Sequence, residues 1–172
     1  GDGDGDGDGD GDGDGDGCTL ARVPEAPANF DSTFAVPGMW AVKGTQTGGL
    51  ALTDIELSVD AANGGEVRVA VYDAVPLSGI GPGALLVESQ SVTVDQAGVM
   101  VIDVDDTLLP DEFWVAIQVE TFFPSTLSNF TMGAEDTSYM SQPFGEFPSA
   151  FPDMAVSAAE TLGLAAVGCA GG

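Results

Sequence analysis

LALTDIELSVDAANGGEVRVAVYD, residues 50–73, reads as two strands joined by a turn. Leu50 and Leu52, then Ile55, Leu57 and Val59, fall at every second position with one slip of phase near Thr53. A period of two sends alternate side chains to opposite faces of a strand, so these residues share a buried face and Thr53 marks a kink. Asn63-Gly64-Gly65 supplies the backbone freedom of a tight hairpin turn. Beyond it Val67, Val69 and Val71 alternate with Arg68, Ala70 and Tyr72.

The same pattern continues on the C-terminal side. A Pro/Gly loop spans 75–83, an extended segment 86–94, and a turn 96–98 leads into a strand that includes Val99, Val101 and Val104. Pro110-Asp111-Glu112 makes another turn, and Phe113, Val115, Ile117 and Val119 then face one way. From 121 to 153 Pro, Ser and Gly interleave with Phe122, Phe123, Phe130, Tyr139, Phe144, Phe147 and Phe151, a loop-rich stretch whose aromatics are expected at the rim of a sandwich. Residues 154–169 are rich in Ala, Val and Leu; the run AAETL could start a helix, but Gly163 and Gly168 favour a final strand. Seven to nine short strands, regular turns and no long amphipathic helix predict an all-β fold, an antiparallel β-sandwich of jelly-roll or Greek-key type.

Charge is the second constraint. The 172 residues hold 28 acids, 3 bases and no His, a net charge of −25. Eight of the acids are Asp2, Asp4, Asp6, Asp8, Asp10, Asp12, Asp14 and Asp16 in a strict Gly-Asp repeat, which leaves 20 acids against 3 bases in residues 18–172. Nucleic acid is excluded as a partner, since phosphate is gripped by clustered Lys and Arg. No apolar run approaches the length of a membrane-spanning helix. The N-terminus has none of the regions of a signal peptide, as expected of a processed chain or an internal cut. The acidity suits an exported protein, extracellular or at the cell surface, with an acidic halophile cytosol as the competing explanation.

Cys18 and Cys169 flank the body. Without His or a C-x-x-C pair a zinc site lacks its ligands, so a disulfide joining first and last strands is the reading, against two unrelated buried thiols. Closing a loop of about 150 residues removes roughly 4 to 5 kcal/mol of unfolded-state entropy, and such a bond persists in an oxidising compartment. The chain divides into the repeat (1–17), a connector with Pro24 and Pro27 (18–33) and the sandwich (34–172).

Across residues 48–120, the runs GEVRVAVYD (65–73), PGALL (82–86), SVTV (91–94) and FWVAI (113–117) resemble a recurring pattern of secreted bacterial β-sandwich surface domains. The resemblance implies an exported, non-catalytic surface or matrix module and names no ligand. The repeat separately resembles the Asp-rich calcium-binding segments of thrombospondin type 3 repeats, from which its strict alternation departs.

In an extended strand, strict alternation puts every Gly on one face and every Asp on the other, with neighbouring carboxylates about 7 Å apart. By composition the segment also suits a solvated, self-repelling linker. Three things could hold it: Ca2+ bridging the carboxylates, glycan, or a second copy of the chain. Seventeen extended residues reach about 55 Å, against a body roughly 40 Å across, so the segment can cross a whole neighbour. Added to an open sheet edge, it would link copies head to tail into a fibril by strand exchange. Against this, the body offers only Arg22, Lys43 and Arg68 to eight carboxylates, which calls for cations or a solvated Asp face. The connector residues Leu20 and Val23 are a more conventional apolar donor.

Other chemistry is thinly supported. With no His, Ser-His-Asp and Cys-His sites cannot be built, and the acidic pairs Asp105/Asp106 and Asp111/Glu112 read as turn residues rather than glycosidase carboxylates. Asp103, Asp105 and Asp106, expected beside a strand end, are candidate Ca2+ ligands. Trp40 and Trp114 are candidate sugar-stacking residues, with a core role as the alternative. Asn129-Phe130-Thr131 is a glycosylation sequon, expected in a surface loop, although Leu127 stands where bacterial N-glycosylation prefers an acid. The expectation is therefore a non-enzymatic, extracellular structural subunit that needs no cofactor. It would polymerise through residues 1–23. The competing reading is a carbohydrate-binding or adhesin module on an acidic, Ca2+-responsive tether.

Overall fold

A computed structural model describes residues 19–24, 31–34, 38–62, 64–74, 82–120, 126–131, 137–151, 156–157 and 160–171. The Gly-Asp repeat and Cys18 lie outside them. The described residues form fourteen strand segments and no helix, more pieces than the turn spacing predicts.

Two sheets pack face to face, and every strand pairing in them is antiparallel. The first contains β1 (Thr19–Val23), β2 (Asp31–Phe34), β4 (Leu50–Ala61), β8 (Gly98–Leu109), β10 (Thr126–Thr131), β13 (Glu160–Leu162) and β14 (Leu164–Ala170). Its order runs β1-β14-β4-β10-β13, with β8 on β4 and β2 on β10. The second contains β3 (Gly38–Thr45), β5 (Glu66–Asp73), β6 (Leu85–Glu88), β7 (Val92–Thr93), β9 (Glu112–Val119), β11 (Thr137–Met140) and β12 (Val156–Ser157). Its order is β12-β11-β3-β9-β5-β6, with β7 also on β5. The connector thus contributes β1 and most of β2 to the first sheet, and the loop-rich stretch contributes β10 and β11.

The inner faces make the main core. Leu50, Leu52, Ile55, Leu57 and Val59 of β4 meet Val67, Val69 and Val71 of β5 and Phe113, Val115, Ile117 and Val119 of β9, all buried. At about 25 cal/mol per Å2 of apolar surface, burial of such aliphatic side chains is the dominant stabilising term. The kink at Thr53 is a bulge: the β4–β14 register shifts between Val167 and Gly168, and the β4–β8 register between Leu52 and Asp54. The Thr53 hydroxyl lies 3.2 Å from the Val167 carbonyl and 2.9 Å from Asp54 Oδ2. Gly168 is required here, because a β-carbon on it would collide with the Ala51 carbonyl.

A second core lies on the outer face of the second sheet. Met39, Ala41, Ala70, Tyr72, Trp114 and Ala116 are covered there by Phe147 and Phe151. Two of the aromatics expected at the rim, Phe147 and Phe151, therefore cover a sheet face. Three features fix the covering segment. Arg68 donates to the carbonyls of Gly145 (2.6 Å) and Ser89 and pairs with Glu88 at 2.8 Å. The buried Gln118 accepts from the Gly145 amide at 3.1 Å, and the Tyr72 hydroxyl donates to the Pro148 carbonyl at 3.0 Å. Trp114, only 4% exposed, is core here and unavailable for stacking on sugar. Trp40 is half-buried, with its ring 4.4 Å from that of Tyr139.

Candidate functional site

Part of the first sheet is a four-strand ribbon, β1-β14-β4-β8, whose two outer strands each have one pairing partner among the described residues. β1 is the segment into which the Gly-Asp repeat leads. It forms because Thr19–Val23 pairs residue for residue with Ala170–Ala166, and it ends before Pro24. Val23 is buried in the chain's own core, while Leu20 projects outward, 60% exposed. These two expected assembly residues therefore divide, one holding β1 in place and one left on the surface. Arg22, also outward, binds Glu56 through two hydrogen bonds of 2.8 and 2.9 Å. That contact raises the guanidinium pKa above its already high ordinary value.

β8 is the opposite edge, twelve residues long. Met100, Ile102 and Val104 face the core, while Val99 and Val101 are 59% and 61% exposed. The larger Met and Ile side chains fill the interior and the valines stand outside, where β-branched residues still favour the strand. Asp103, Asp105 and Asp106 sit within β8 rather than beside its end, and all three are exposed. Asp103 stands directly opposite Asp54 of β4. Among the described residues no group of three acidic or thiol side chains is placed to hold a metal ion. Carboxylates on a long edge are one way that sheets discourage unwanted pairing.

Near the C-terminal end of β8 an open groove of about 690 Å3 runs between the sheets, lined by Leu86, Leu108, Leu109 and Pro110 with Asp73, Asp111 and Glu112. Leu108, 76% exposed, is on its rim. The surface nearby is acidic, and each of the chain's three cations is engaged: Arg22 with Glu56, Lys43 with Glu112 and Arg68 with Glu88.

The other sequence candidates are dispersed. Asn129 lies in β10, opposite Leu162 on one side and Asp31 on the other, not in the loop expected for the sequon. Cys169, in β14, is not a free thiol. Thr19, the residue after Cys18, stands opposite Ala170, the residue after Cys169. The eight aspartates of the repeat lie outside the described residues.

No protein-family model and no curated protein matches the chain. Among solved structures, it is similar to a chain comprising the cysteine protease and lectin-like domains of Cwp84, a surface layer associated protein of Clostridium difficile. The TM-score is 0.52 at 12% identity, over 85% of this chain and 37% of that one. At that identity the likeness concerns the fold alone.

Proposed function

We propose that the protein is a non-enzymatic structural subunit of an extracellular fibril or surface layer, joined head to tail through its N-terminal segment. The observation that carries this reading is the place of β1. Among the described residues, the strand that continues the Gly-Asp repeat is itself an edge of the first sheet with one pairing partner, and a second such edge, β8, lies across the ribbon. Main-chain hydrogen bonds at such edges join β proteins without a dedicated pocket. A disulfide between Cys18 and Cys169 would fasten β1 to β14 where load enters the subunit, and Ca2+ is the candidate counterion for the repeat. A glycan on Asn129 and the resemblance to secreted bacterial surface domains belong to the same picture. The test is removal of residues 1–17. Electron microscopy and sedimentation should find polymers of the full chain and shorter or no polymers of the truncated one. Equal polymerisation of the two would refute a role for the repeat.

A carbohydrate-binding module is the second reading, supported by the fold shared with a chain that carries a lectin-like domain. On that reading, sugar binding survives the same truncation and neither form polymerises.

A further inference from the structure

Resting on this assembly reading, we infer that the acceptor for a neighbour's β1 is β8, in the register that sets Leu20 of one copy against Leu108 of the next. Three unbroken rows cross the ribbon: Thr19–Ala170–Leu50–Leu109, Leu20–Cys169–Ala51–Leu108 and Ala21–Gly168–Leu52–Thr107. Three antiparallel steps separate β1 from β8, so the two strands run in opposite directions. A second copy in the same orientation therefore presents its β1 antiparallel to β8, and the sheet passes from copy to copy with its alternation intact. Continuing the rows brings Leu20 beside Leu108.

The side chains match in that register. Leu20 and Leu108 are the outward residues of one row at opposite edges, and both are largely exposed. The next outward residue on β1 is Arg22, and the next exposed residues on β8 include Asp106 and Asp103. Leucine meets leucine, a favourable cross-strand pairing, and the neighbour's carboxylates approach the one strand edge that carries a cation, Arg22, which is also bound to its own Glu56.

Other occupants of β8 fit worse. The Gly-Asp repeat would lay aspartates along Asp103, Asp105 and Asp106, and a β8–β8 contact would face three carboxylates with three more. The β1–β8 contact joins different surfaces of identical copies and does not close on itself, which is the geometry of a filament.

The test uses the full chain and two surface variants, Leu20→Asp and Leu108→Asp. Both positions are exposed, so each variant should keep the wild-type melting temperature. The expected result in sedimentation velocity is that wild type polymerises and each variant alone stays monomeric. An equimolar mixture should form dimers and nothing longer, since one intact β1 can meet one intact β8. A variant that polymerises like wild type, or a mixture that stays monomeric, would overturn the β1–β8 contact while leaving assembly standing. A wild-type chain that never polymerises would remove the assembly reading itself, and this inference with it.

Discussion

Tyr72 ends the β5 run in which Arg68, Ala70 and Tyr72 share one face, as their alternation with valine predicts. The sequence does not announce that this face is covered. Phe147 and Phe151 pack edge-on to the Tyr72 ring, at centroid distances of 6.3 and 5.3 Å. They come from a Pro- and Gly-rich segment with no periodicity to assign them a face. One signal was readable: Phe-Trp-Val-Ala-Ile in β9 and Val-Arg-Val-Ala-Val-Tyr in β5 are nearly continuous apolar runs, the mark of strands buried on both sides. Burial, and secondarily the Glu88 charge, raises the Tyr72 hydroxyl pKa well above its ordinary 10.0. The folded state then holds this proton more tightly than the unfolded state, so the stabilisation is fully present below pH 10 and is lost as pH rises beyond it. Tyr72→Phe forfeits the bond to Pro148, about 1 kcal/mol at neutral pH, and its stability should fall less steeply above pH 10. Urea midpoints for both proteins between pH 8 and 11.5 check this; parallel alkaline slopes would remove Tyr72 as a cause.

Among the elements, β4 was legible because one of its faces is buried and the other is not, which enforces a period of two, and β5 and β9 because their inward valine, isoleucine and phenylalanine positions still alternate in strands buried on both faces. β8 is legible as a strand but its phase is not, because it is an edge. Its outer face bears two valines as well as aspartates, so apolarity alone does not separate inside from outside; the inward Met100 and Ile102 decide it. β10 was hidden in a polar stretch, and its pairings with β2, β4 and β13 are long-range contacts that no local pattern encodes. Direct opposition of Asp54 and Asp103 places like charges on adjacent strands, which costs roughly 0.2–1 kcal/mol. Asp103→Asn should therefore stabilise the fold by about 0.5 kcal/mol in low salt, with the gain shrinking as salt screens the pair. Thermal unfolding at two ionic strengths measures it. If Ca2+ raises the melting temperature of wild type and not of Asp103→Asn, the pair is a cation site and the gain should reverse sign when Ca2+ is present.

At the scale of the whole molecule, the first and last described strands are neighbours, and their pairing closes the chain into one body. The position of the two cysteines in the sequence pointed to first and last strands as neighbours; the edges at β1 and β8, each with one partner among the described residues, could not be read without the register. A Cys18–Cys169 disulfide would cross-link the ends of a loop of about 150 residues, restricting the unfolded chain by roughly 4 to 5 kcal/mol in entropy. Such a bond would be reinforced by β1, which holds five consecutive residues against β14. Opening it by reduction, or replacing both cysteines with serine, should lower the unfolding free energy by several kcal/mol. The folded sheets should remain largely intact, because most of the main core is drawn from β4, β5, β8 and β9, with Val23 of β1 and Leu164 and Ala166 of β14 adding to it. Urea unfolding with and without reductant gives the energy, and hydrogen exchange gives the place. Amides of β1 and β14 should lose protection first, while those of β9 retain it. A reduced protein with the same midpoint as the oxidised one would mean that Cys169 is joined otherwise than to Cys18, and that β1 is held by its pairing with β14 alone.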